Sequence, residues 1–224
     1  MAISSLFYYV SVKGYFPSLN NGRGIWNYAR DSERYQNEAK KIAIDLEGKG
    51  FLQWWNIRPK HYHVKFIALV YKILKPVPLA AEPLNAVLWS ASFLLIYSIS
   101  FILLGKEKKA SCVALIFSIF PSYLMDSIQL LKDPYYVFGV LLFILSWVLA
   151  WSNSKDRKGD WLKIILNGVL AGSGFWLVLN LRAYVTLIFV GFSLLFGVVS
   201  ISYRKWNWKS FSTKLYLGFK RPSR

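Results

Sequence analysis

The sequence predicts an all-α, multi-spanning integral membrane protein with surface helices in a long N-terminal outer region. Three observations carry that fold class. The chain is 55% hydrophobic but only 17% charged over 224 residues, against roughly 25% charged in a soluble domain. Its 28 Lys and Arg against 11 Asp and Glu punctuate apolar blocks instead of covering one face, which is the membrane pattern and argues against a nucleic-acid partner. Ten Trp and fourteen Tyr suit a chain that meets two membrane–water interfaces. Three regions follow: an outer-face region over 1–82, a bundle of about five helices over 83–203, and a basic cytoplasmic tail over 204–224.

Residues 4–12 are apolar but too short to span, and Lys13 follows them where a signal peptide has its basic residues first. They read as a partial helix at the interface or as the end of a spanning helix. Pro17, Asn20, Asn21, Gly22 and Gly24 mark 14–30 as loop. Tyr35, Ala39, Ile42 and Leu46 then recur at helical spacing, so a helix is expected from about 33 to 47, stopped by Gly48 and Gly50. Its other face carries Glu33, Glu38, Lys40, Lys41 and Asp45, which predicts a helix lying along the membrane surface. A second amphipathic stretch, 62–74, holds Phe66, Ile67, Val70, Tyr71 and Leu74 and ends before Pro76. Trp54, Trp55, Arg58, Lys60, His61 and His63 lie between the two and read as interfacial.

Spanning helices are expected at 84–104, 111–131, 135–151, 161–180 and 183–203, each near the length of about 20 residues that crosses a bilayer. The loops 105–110 and 152–160 and the tail are basic, so positive-inside counting puts them in the cytoplasm. Residues 14–82, 132–134 and 181–182 are then outside. Gly168, Gly172 and Gly174 have the small-residue spacing of close helix packing. Cys112, the single cysteine, excludes an internal disulfide and reads as a small core residue. No Gly-rich nucleotide loop, zinc spacing, EF-hand or solenoid repeat is present in the sequence.

The charged residues of the outer face carry what chemistry there is. Asp31 is either the N-cap of its helix or a general base at the membrane surface. Asp133 is either a cap for the following span or an acidic group facing substrate. Lys132 and Arg182 are interfacial anchors or a clamp for a lipid-linked phosphate. Asp126, inside a span, needs a partner or a proton, and is expected to face other helices. His61 and His63 either pack at the interface or touch substrate.

Four stretches resemble the membrane glycosyltransferases of the C-type fold, related to protein mannosyltransferases and lipid A aminoarabinose transferases. They are Asp31-Ser-Glu-Arg-Tyr-Gln-Asn-Glu-Ala39, Arg58-Pro-Lys-His-Tyr62, the run Phe120-Pro-Ser-Tyr-Leu-Met-Asp-Ser-Ile-Gln-Leu-Leu-Lys-Asp-Pro134, and Arg182-Ala-Tyr184. The resemblance implies a plasma-membrane, multi-pass enzyme of a bacterial or archaeal cell that transfers a hexose or pentose from a polyprenyl-phosphate carrier. It implies Asp31 as catalytic base and Lys132, Asp133, Arg182 and His61 as substrate-binding, with a divalent cation in some relatives. The partners it implies are the lipid-linked donor and membrane lipids. Family members have more spans, so it further implies a partial or truncated member, with a partner chain supplying missing helices. The alternatives from another class are a non-catalytic membrane scaffold or degenerate relative and, more weakly, a transporter component, for which Asp126 is the one intramembrane charge.

Overall fold

The computed structural model describes residues 2–49, 52–127, 129–153 and 161–205. The tail expected over 204–224 and the basic loop expected over 152–160 fall outside the described residues from 206 and from 154 onward. The chain divides into two compact units, Met1–Ala183 and Tyr184–Arg224. Among the described residues the secondary structure is helical, with one isolated bridge between Asn20 and Trp26.

Helix α1 (Ala2–Val12) is held by the loop that follows it. Wholly buried Ser11 donates to Asn20 Oδ1 at 3.0 Å and accepts the Gly24 N–H at 3.1 Å. Gly24 has φ +87°, and a Cβ there would enter the Tyr8 ring, so this position needs glycine on both counts. A 3-10 turn, Asn27–Ala29, runs straight into α2 (Arg30–Lys49).

The stripe predicted on α2 is real: Tyr35, Ala39, Ile42 and Leu46 are all buried. Its partner differs from the expectation of a membrane surface. After the short helix α3 (Gln53–Asn56), helix α4 (Val64–Ile73) lays Val64, Ile67, Ala68 and Tyr71 against that stripe, and Trp54 and Leu130 close the cluster. Two amphipathic helices thus satisfy each other, each buried Leu or Ile contributing about 1.5–3 kcal/mol. Two lysines tie α4 to its neighbours, one to α2 and one to α3. Lys72 Nζ donates to the Leu46 carbonyl in the last turn of α2 at 3.1 Å, where a cation meets the negative helix end. Lys65, buried, donates to the Trp55 carbonyl at 3.0 Å and lies over the Trp54 ring.

Helix α5 (Glu82–Leu104) follows a 3-10 turn at Pro78–Ala81 and stops at Gly105, whose φ of +63° ends the helix. Helix α6 (Glu107–Ser118) begins two residues later, so most of the loop expected over 105–110 is its first turn. The single span expected over 111–131 is two helices, α6 and α7 (Pro121–Ser127). Pro121 explains the break: it has no N–H to bond back into α6 and disfavours helical backbone at Phe120. Cys112 is exposed on α6 and is not the core residue expected. Helices α8 (Asp133–Asn153) and α9 (Trp161–Leu181) pack antiparallel. The second unit contributes α10 (Thr186–Lys205).

Among the described residues three helices are long and apolar enough to cross a membrane, Pro78–Leu104, Asp133–Ser152 and Trp161–Leu181; Ala183–Leu195 is a shorter apolar helix. They correspond to the first, third and fourth expected spans. The glycine pattern is redistributed. A Cβ on Gly174 would lie 2.6 Å from the Gly139 carbonyl, whereas Gly168 and Gly172 face open space. One glycine of the expected three makes the close contact, and it faces a glycine of α8.

Candidate functional site

The site residues expected from the sequence lie where α2, the 58–63 turn and the N-terminus of α8 meet the end of α9. Asp31 is exposed in the first turn of α2, inside the helix. The capping position expected for it belongs to the residues before Arg30. Its charge lies at the positive end of the helix, where a carboxylate is favoured.

One turn further on, Tyr35 is buried and packs edge-on against two imidazoles, His61 at 4.9 Å and His63 at 4.3 Å between ring centres. Burial first, then the negative charge of Asp31 and of Asp133, pushes the Tyr35 phenol up to about 12. The residues thus sense one another although Asp31 and Asp133 are a hundred positions apart. The turn carrying the histidines is fixed by Glu38, whose Oε1 accepts the Lys60 N–H at 2.9 Å and the His61 N–H at 3.4 Å.

His63 is wholly enclosed, and its ring also meets Tyr135 of α8 at 5.7 Å. Neither of its ring nitrogens has a hydrogen-bond partner among the described residues, nor does His61 Nε2. Burial, then the cationic neighbours His61 and Lys132, lower His63 to about 3. His61 is also lowered, by burial first, with Glu38 opposing and Arg34, Lys132 and Lys60 reinforcing. Lys132 is therefore within electrostatic range of both histidines. It is half-buried and forms no ion pair among the described residues.

Asp133 and Arg182 form an ion pair. Asp133 is the first residue of α8, and its carboxylate is engaged by the guanidinium instead of capping the helix. Arg182 is held by that carboxylate and by the Tyr136 ring, 4.9 Å from its guanidinium carbon. Asp126 of α7 is half-buried and within electrostatic range of Asp133 and Arg182. Its field and that of Glu82 reach Tyr28, whose phenol burial raises first; that phenol donates to the Met125 carbonyl at 3.4 Å. Asp126 thus lies within electrostatic range of Arg182 and of the Tyr28 phenol.

Two features escaped the sequence reading. Tyr35 reads as one member of an apolar stripe, although its phenol lies in the field of two carboxylates, Asp31 and Asp133. Gln129 is buried and ties three segments together: its Oε1 accepts the Trp26 N–H at 3.5 Å and its carbonyl accepts from Asn85 Nδ2 at 3.1 Å. A buried amide in a polar run between apolar segments is the signal that points to it. Among the described residues no three His, Cys, Asp or Glu are grouped to hold a metal ion. No family model, curated protein or solved structure matches the chain.

Proposed function

We propose that the chain is a multi-pass plasma-membrane glycosyltransferase that moves a sugar from a polyprenyl-phosphate carrier to an acceptor at the outer face. The observation that carries this reading is the meeting of four distant stretches. Asp31 and Asp133 both act on Tyr35, Lys132 acts on His61 and His63, and Arg182 pairs with Asp133. These are the stretches in which the sequence resembles the family.

In this reading the acceptor hydroxyl oxygen attacks the anomeric carbon. The bond from that carbon to the phosphate oxygen breaks, and polyprenyl phosphate leaves with the electron pair. Asp31, exposed in the first turn of α2, takes the hydroxyl proton. The leaving phosphate needs positive charge more than it needs an acid, and Lys132 supplies it. Arg182 acts by holding Asp133, and His61 borders the same space.

The test is transfer of labelled sugar from polyprenyl phosphate in membranes holding the protein and any partner chain. Asp31→Asn keeps the shape of the side chain but removes the carboxylate that accepts the proton, so transfer should fall roughly 100- to 10,000-fold at matched protein level. Transfer near the parent rate would rule out the base. The Asp133–Arg182 pair favours a second reading, a non-catalytic membrane component, because a self-neutralised pair suits helix tethering. That reading requires Asp31→Asn to be silent while Arg182→Ala lowers the amount of folded protein.

A further inference from the structure

We infer that α1 and the turn after it form a membrane-docking surface that dips into the bilayer interface beside α5. The inner face of α1 is satisfied within the protein: Phe7 packs on Trp26 at 5.1 Å, Tyr8 covers Gly24, and Ser11 is bonded to Asn20. The opposite face is not. Ile3, Leu6, Tyr9 and Val12 recur every third residue and are each about half exposed.

The turn extends that surface. Phe16 is 61% exposed and Leu19 54%. Phe16 also has φ +54°, the sole positive φ at a non-glycine among the described residues, a conformation costly for a bulky side chain. The protein maintains it with the Asn20 amide, which donates to the carbonyls of Tyr15 at 2.6 Å and Phe16 at 2.9 Å. An ordered, strained turn that presents an aromatic side chain outward has a use for it there.

Two observations select lipid as the occupant. Residues 1–30 contain Lys13, Arg23 and Arg30 and no acid, which suits anionic headgroups, and Lys13 sits over the Tyr9 ring as an interfacial cation does. Helix α1 also packs on the Pro78–Ala81 turn that opens the span Pro78–Leu104. The patch is therefore tied to the end of that span. An apolar helix face at that level lies about 5–10 Å into the headgroup–acyl boundary.

The test is depth-dependent quenching of a fluorophore on single cysteines in the full chain. The background is Cys112→Ser, and the vesicles contain phosphatidylcholine and phosphatidylglycerol with spin-labelled lipid. Labels at Phe16→Cys and, independent of the strained turn, at Tyr9→Cys and Val12→Cys should be quenched by a spin label near the headgroup. A label at Leu94→Cys on α5 should respond best to a label deep in the acyl chain, and one at Asn37→Cys on α2 to neither. Quenching at 9, 12 and 16 no greater than at 37 would overturn the proposal. So would labels there that are shielded from an aqueous quencher yet silent to both lipid quenchers, since the surface would then be covered by protein.

Discussion

The pair α2–α4 and the pair α8–α9 are both packed helix couples, yet they are joined by opposite means. Between α2 and α4 the contact is made of large side chains, with Tyr35, Leu46, Ile67 and Tyr71 all buried. Lys72 of α4 bridges to the Leu46 carbonyl of α2 at the edge. Between α8 and α9 it is made by the lack of side chains, with Gly174 against the Gly139 carbonyl and the Phe143 N–H. The outward faces differ in the same sense: α2 turns Glu33, Asn37 and Lys41 outward, whereas α9 turns Leu162, Ile165 and Val169 outward. Where water surrounds a pair, burying apolar area holds it together. Where the surroundings are themselves apolar, burial gains little, and close backbone approach takes over.

Three experiments press on this contrast. Leu46→Ala removes a wholly buried side chain from the first pair and should cost about 2–5 kcal/mol, read from the denaturation midpoint in detergent. A loss below about 1 kcal/mol would mean that this pair is not held by its core.

The second lies where the two pairs meet, at His63. Its folded-state value of about 3 is below the ordinary 6.5, so the unfolded chain binds the proton first. Stability from keeping this ring neutral is complete above pH 6.5 and is lost as pH falls towards 3, at up to about 1.4 kcal/mol per pH unit. His63→Phe should flatten the stability profile between pH 6 and 4. An unchanged slope would leave the carboxylates as its cause.

The third compares two glycines of one helix. Gly174→Ala forces α8 and α9 apart and should cost about 1–3 kcal/mol. Gly168→Ala, facing open space, should be neutral or gain up to about 1 kcal/mol from helix propensity. Equal responses would dissolve the distinction between the two modes of packing.

The α2 stripe was legible because periodicity records which residues are buried. It does not record by what, and α4 took the place assigned to the membrane. Hydropathy proposed one span over 111–131 because it counts apolar side chains and ignores backbone hydrogen bonds; Pro121 held the missing information. The glycines misled for a related reason. Spacing within α9 treats Gly168, Gly172 and Gly174 alike, while only the facing strip of α8, with Gly139, distinguishes them. The charged residues stand out one by one in the sequence, but the Asp133–Arg182 pairing spans 49 positions and depends on how two helices align. No local pattern encodes it.

That ion pair has a further consequence for the field at this end of the molecule. Asp133 sits at the positive pole of α8 and Arg182 just past the negative pole of α9, so each charge offsets a helix end while the two offset each other. Four poles cancel over a short distance, and their combined potential dies away faster than that of any lone charge. What an approaching anion senses there is set by Lys132, with Arg34 and Lys60 along the same side. Raising the ionic strength should accordingly weaken the capture of an anion while leaving the half-buried tie between α8 and α9 almost unaltered.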